Sequence, residues 1–137
     1  MDLSDWKPEY SVGNAILDSQ HKKLLALCKR VGNYDAEIDA ANFHLILNEL
    51  AEYADTHFKT EEYILGAVGY SELNEQKDEH EAYIERLTDF LYRATMGRLY
   101  RHALSEYLEC WWIDHILQSD MKYKTFLKQE EPAIAPQ

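Results

Sequence analysis

His21, His57, Glu61, Gln76, His80 and His115 are the residues here whose types and spacing could do chemistry, and each falls where an apolar side chain is expected. His57 and Glu61 stand four apart, as do Gln76 and His80. On a helix each pair therefore projects from adjacent turns of one face. A buried imidazole or carboxylate is costly without a partner. Singly, each has an ordinary explanation: a core histidine usually bonds a backbone carbonyl, and a lone glutamate on a stripe snorkels. Together they form the donor set of a first-row transition metal. Non-haem iron suits imidazoles with a few carboxylates, whereas calcium and magnesium want mostly oxygen. A structural zinc site uses four ligands and favours cysteine. Cys28 shares a stripe with His21 but lies nearly two turns from it.

The segments that must position these residues read as helices. Met1 to about Leu17 is an extended arm, with Trp6, Tyr10, Val12 and Ile16 as anchors. Asp18 is a good N-cap for a first helix reaching Val31, with Leu17, His21, Leu24, Cys28 and Val31 facing inward. Gly32-Asn33 stops it. A second helix runs from about Asp39 to Leu65, and Phe43, Leu47, Leu50, Ala54, His57, Glu61 and Ile64 step by threes and fours along it. Gly66 and Gly69 mark a turn. A third spans about Glu72 to Thr95, with Leu73, Gln76, His80, Tyr83, Leu87, Phe90 and Ala94 on one stripe. After Gly97 a fourth carries Leu104, Leu108, Trp111 and His115 to about Ile116. Ser119 is expected to cap a short last helix through Leu127. The pattern predicts an all-α, up-down-up-down four-helix bundle, one domain over 1–137 with an arm at 1–17 and a flexible tail at 131–137. Each of the four helices then sends at least one polar residue inward. Asp120 is harder to place. It lies five residues after His115 and points away from it on a straight helix. Either the helix loosens near Ile116–Ser119, or the two residues serve different sides of the metals. Taken alone, Asp120 reads as a solvated loop carboxylate.

Composition agrees. Of 137 residues, 46% are hydrophobic, which suits a globular chain, and only 5 are Gly and 3 Pro, which suits helices. With 25 acidic against 14 basic residues the net charge is −11, so nothing could neutralise a run of phosphates and nucleic acid is disfavoured as a partner. No apolar run is long enough to cross a bilayer, and the acidic N-terminal stretch does not read as a signal peptide. The expected location is cytoplasmic, with Cys28 and Cys110 as a buried pair of reduced thiols.

At these residues the sequence resembles the bacterial hemerythrins, from Trp6 to about Leu127. The likeness is carried by Tyr10-Ser11-Val12-Gly13-Asn14 through Asp18-Ser19-Gln20-His21-Lys22, by His57-Phe58-Lys59-Thr60-Glu61-Glu62 and Gly69-Tyr70, and by Lys77-Asp78-Glu79-His80-Glu81. His115-Ile116 followed by Asp120 and Tyr123 completes it. The resemblance implies two non-haem iron ions, oxo- or hydroxo-bridged. His21 and His57 would hold the iron that keeps a position open for oxygen. Glu61 and Asp120 would bridge, and His80 and His115 would hold the second iron.

This sequence departs from the family's pattern where a third histidine on the second iron is replaced by Gln76. Three outcomes are open: Gln76 binds through its oxygen, a water takes the place, or the second iron is weakly bound and lost. Glu75 or Glu79 could also be recruited, although neither faces the stripe. A second departure is Trp112, where a leucine commonly lines the oxygen pocket; its indole would narrow that pocket, offer an N–H to a ligand, or pack outward. His44 and His102 match no ligand position and read as surface residues. Tyr83 and Tyr123 are placed to support the ligands. The resemblance implies an oxygen-binding protein, for storage, transport and delivery, or sensing, whose partner is O2 or another small diatomic or peroxide. The alternatives are a di-iron oxidase- or peroxidase-like enzyme, motivated by Gln76, and a metal-poor signalling module. Whether the chain is an enzyme stays open, with oxygen binding preferred.

Overall fold

The computed structural model describes residues 6–33, 40–97 and 101–134. Among these there is no strand. The elements are a 3₁₀ turn at Pro8–Tyr10, α1 (Ala15–Asn33), α2 (Ala40–Ala67), α3 (Leu73–Thr95), α4 (Arg101–Asp114), a π-helical segment (His115–Asp120) and α5 (Met121–Ile134). Helices α1 to α4 form the expected up-down-up-down bundle. α2 packs against both α1 and α3, and α1 packs against α4. α3 meets α4 through rings, with Tyr83 4.3 Å from Trp111.

The inner faces follow the periodicity closely. Leu17, Leu24, Cys28 and Val31 of α1, Phe43, Leu47, Leu50 and Ala54 of α2, and Tyr83, Leu87 and Phe90 of α3 are all buried. One expected arm anchor is not buried, and two positions shift by one residue. Ile16 is 59% exposed, because Leu17 begins the stripe that continues through His21 and Leu24. Leu65, four after Glu61, takes the buried place expected of Ile64. On α4 the steps of four run Leu104, Leu108, Trp112, so Trp112 is fully buried and Trp111 only half-buried. Cys28 is buried, whereas Cys110 is exposed, so the two free thiols are not a buried pair.

Helix ends also differ from expectation. Asp18 is not the N-cap of α1. Asn14 holds that place, its Oδ1 accepting from the Leu17 backbone N–H at 3.0 Å. Asp18 lies in the first turn, where its carboxylate accepts from the Ser11 hydroxyl at 2.6 Å and the Val12 N–H at 2.8 Å. The helix therefore starts at Ala15 rather than beyond Leu17, and Asp18 ties the arm down instead. α2 ends in a Schellman arrangement: Gly69 N–H donates to Gly66 O at 3.2 Å and Tyr70 N–H to Leu65 O at 3.0 Å. Gly69 sits at φ +71°, a left-handed conformation that glycine accepts without strain. Ser119 caps nothing, because the chain passes from α4 through the π segment into α5 without a break. α5 continues to Ile134, past Glu130 and into the stretch read as a tail. The expected start of the second helix at Asp39, the first residues of the arm and positions 135–137 lie outside the described residues.

Candidate metal centre

All six donors and Gln76 are buried together in the middle of the bundle. α1 supplies His21, α2 supplies His57 and Glu61, α3 supplies Gln76 and His80, and the π segment supplies His115 and Asp120. That segment answers the question of Asp120. An α-helix would aim residues five apart in different directions, whereas a π turn bonds i to i+5 and accommodates one more residue. Asp120 thus returns to the face of His115.

Glu61 lies between two pairs of imidazoles. Its Oε2 is 3.6 Å from His21 Nε2 and 3.5 Å from His57 Nε2. Its Oε1 is 2.8 Å from His80 Nε2 and 3.6 Å from His115 Nε2. Asp120 repeats the pattern, with Oδ2 3.2 Å from His21 Nε2 and Oδ1 3.1 Å from His115 Nε2. Each carboxylate therefore gives one oxygen to each side. Two donor groups, His21–His57–Glu61 and Glu61–His80–His115, are each compact enough to hold a metal ion.

The donor set fits such a group on a further count. His21 Nε2, His57 Nε2, His115 Nε2, Asp120 Oδ2 and Gln76 Oε1 are buried without a hydrogen-bond partner. Orphaned buried polar atoms are uncommon and each one costs stability. Among the described residues such side-chain atoms are concentrated here, and all but the outer His21 Nδ1 are atoms that would face a cation. Gln76 Nε2 donates to Ser119 O at 3.2 Å and to Asp120 Oδ1 at 3.3 Å, and the amide oxygen is left unpartnered.

Known proteins share this arrangement of sequence and fold. The hemerythrin HHE cation binding domain family matches residues 12–127. The chain belongs to the hemerythrin family. A hemerythrin-like protein from Naegleria gruberi is 34% identical over 123 residues, covering 90% of this chain and 92% of its own length. A bacteriohemerythrin from Clostridium acetobutylicum is 29% identical over 130 residues, covering 86% of this chain and 96% of its own. A crystal structure of wild-type hemerythrin aligns with a TM-score of 0.83 at 22% identity, covering 90% of this chain and 96% of that one, a likeness of fold.

In this hemerythrin-family chain the outer nitrogens of the imidazoles are also engaged. His57 Nδ1 lies 2.7 Å from Gln20 Oε1, His80 Nδ1 2.7 Å from Glu62 Oε2, and His115 Nδ1 2.9 Å from Glu79 Oε1. The Ser119 hydroxyl donates to both oxygens of Glu79, at 2.6 and 2.8 Å. These contacts fix the ring orientations and leave each Nε2 to face inward. Gln20, Glu62 and Ser119 were not singled out from sequence as supports, and Glu79 stands behind His115 rather than among the inner donors. The only sequence signal was adjacency, since Gln20, Glu62 and Glu79 each neighbour an inner donor along the chain. Their partners sit on other helices, and adjacency does not reveal that. Tyr123, expected as a support, donates its hydroxyl to Glu61 Oε2 at 2.7 Å. Tyr83 touches no inner donor through its hydroxyl, which accepts from Trp112 Nε1 at 3.1 Å. The indole N–H of Trp112 is therefore spent on Tyr83 and is not offered to a ligand. Its ring lies among His57 (6.1 Å), His21 (6.5 Å) and Phe58 (5.8 Å). His102 is exposed as expected, while His44 is half-buried.

The electrostatics follow from this crowding. Burial disfavours a proton on His21, but the Asp120 and Glu61 carboxylates outweigh it and raise the imidazole to about 9. Burial is likewise overcome at His115, which Asp120, Glu61 and Glu79 push well above its ordinary range. At His57 burial dominates and lowers it despite Glu61. Burial would raise Glu61, yet His57, His115 and His21 hold it well below the usual carboxylate range. Without a metal, protons on His21 and His115 supply the positive charge that the two carboxylates require.

Proposed function

We propose that these donors hold two non-haem iron ions and that the protein binds dioxygen there. His21 and His57 serve one ion, His80 and His115 the other, and Glu61 and Asp120 join the two. The observation that carries this reading is the way each carboxylate turns one oxygen to each imidazole pair, which a single-metal site would not need. Reduced iron in such a pair supplies the electrons and the open coordination position that reversible dioxygen binding uses. The chain's own part is to hold the donors in place and exclude water. Trp112 is fully buried beside His21 and His57, and the apolar crevice it forms with Tyr10, Leu25, Ile113, Ile116 and Leu117 is too tight for a water molecule. The indole narrows the ligand pocket on that side, which favours O2 or another small diatomic or peroxide over larger partners. Storage, delivery and sensing would all use this chemistry.

The anaerobic, iron(II)-loaded protein is expected to develop new near-ultraviolet and visible bands in air and to lose them when oxygen is removed. A loaded protein that stays colourless in air would refute oxygen binding. A second reading, an oxidase- or peroxidase-like enzyme, draws on Gln76, whose place would otherwise carry a third imidazole on the second ion. It predicts irreversible oxidation in air with turnover of peroxide, and a stable oxygen adduct once Gln76→His restores the ring. A variant that behaves as the parent does would remove the glutamine as the cause.

A further inference from the structure

The two halves of the centre are supported differently on their outer sides. Behind His57 stands a neutral amide, Gln20, itself donating to Thr60 Oγ1 at 3.4 Å, and His21 Nδ1 has no hydrogen-bond partner. Behind His80 and His115 stand carboxylates, Glu62 and Glu79. Both carboxylates are partly exposed, with Glu62 opening onto a groove of about 370 Å³ between α2 and α3 that also exposes Lys59, Lys77 and Glu81. A carboxylate that accepts the Nδ1 proton makes the opposite nitrogen a stronger donor, whereas an amide does so much less. The half with two carboxylates behind its rings is also the half in which Gln76 stands where the family resemblance implies a third imidazole. Its amide nitrogen is bound to Ser119 O and Asp120 Oδ1.

From this pairing we infer that Glu62 and Glu79 compensate for Gln76, strengthening His80 and His115 so that the second ion is retained without a third imidazole. The inference rests on the two-metal reading above and assigns Glu62 and Glu79 as positioning and charge-donating residues rather than ligands. Ser119 joins the two features, since its hydroxyl orients Glu79 while its carbonyl orients the Gln76 amide. One residue thus fixes both the weak donor and one of its correctives.

The test is a titration of the metal-free protein with cobalt(II), reading the optical bands and the heat of each binding step. His57→Ala identifies which step belongs to the His21–His57 half. Glu62→Gln and Glu79→Gln keep a hydrogen-bond acceptor but lose the charge, so a role confined to orienting the ring would leave affinity unchanged. Each is expected to weaken the His80–His115 step about 10- to 100-fold and to spare the other. Gln76→His should shrink that loss, because a third imidazole makes the carboxylates less needed. Gln20→Glu should tighten the His57 step. The inference is overturned if the charge-neutral variants leave both steps unchanged, if they weaken both equally, or if their loss is as large in the Gln76→His background as in the parent. Failure of the parent to bind two ions at all would instead overturn the two-metal reading, and the two failures are thereby told apart.

Discussion

Glu61 accepts the Tyr123 hydroxyl on the oxygen that faces His21 and His57, while its other oxygen faces His80 and His115. Removing it leaves Asp120 as the inner carboxylate facing the four buried imidazoles, with Glu62 and Glu79 only on the outer side of His80 and His115. Truncating one partner of a buried charge cluster is severe because the others stay behind, desolvated. Glu61→Ala should therefore cost the metal-free protein about 3–5 kcal/mol in urea unfolding and abolish stoichiometric uptake of two ions in metal analysis; uptake unchanged from the parent would contradict its joining role. The His21 shift gives a second expectation, with a definite sign. Its folded pKa of about 9 lies above an unfolded value of about 6.5. The stability this group lends the metal-free fold is therefore fully present below the unfolded value and is lost as pH rises through about 9. A metal ligand must give up its proton, so metal binding near neutral pH should release protons. That release should fade above the folded value. Calorimetry in buffers of different ionisation enthalpy reads the proton count directly, and uptake at neutral pH without release would refute the protonated metal-free state.

Among the elements, the π segment and the helix ends decide where donors go. Asp120 can share a face with His115 only because the chain takes an extra residue into that turn, and the same turn brings Ser119 to Glu79 and to Gln76. The Schellman turn at Gly69 ends α2 below Glu61 and begins the reversal into α3. A side chain at this position would meet no neighbour, so the only cost of adding one is the left-handed backbone. Gly69→Ala should destabilise the fold by about 1–2 kcal/mol in urea unfolding with metal stoichiometry intact. A neutral result would mean that the turn relaxes to another form. At the other end, Asn14 takes the capping role expected of Asp18, and Asp18 holds the arm.

For the molecule as a whole, the centre is also a stability device. Several buried polar atoms converge where a cation would sit, so a bound metal would satisfy part of the core. A metal that binds only the folded chain stabilises it by mass action, by about 2.7 kcal/mol when free metal is a hundredfold above its dissociation constant. Chelation should lower the unfolding temperature, and readdition should raise it with a dependence on metal concentration, read by calorimetry. An unfolding temperature indifferent to metal would place the ions outside the core. Among the described residues no helix is long and apolar enough to cross a membrane.

By itself the sequence determined the four helices, most of their inward faces and the meeting of His21, His57, Glu61, His80 and His115, because a helical period fixes which residues share a face and burial forces polar ones to find each other. Only the tertiary structure decided what stands behind each imidazole, since Gln20 reaches His57 from α1, Glu62 reaches His80 from α2 and Glu79 reaches the π segment from α3. Such contacts depend on the rotation and offset of one helix against another, which no single helix's pattern contains. The same holds for the π turn that returns Asp120 to the centre. The extra residue in that turn is held by contacts from another helix, where Glu79 meets His115 and Ser119 and Gln76 meets Ser119 and Asp120.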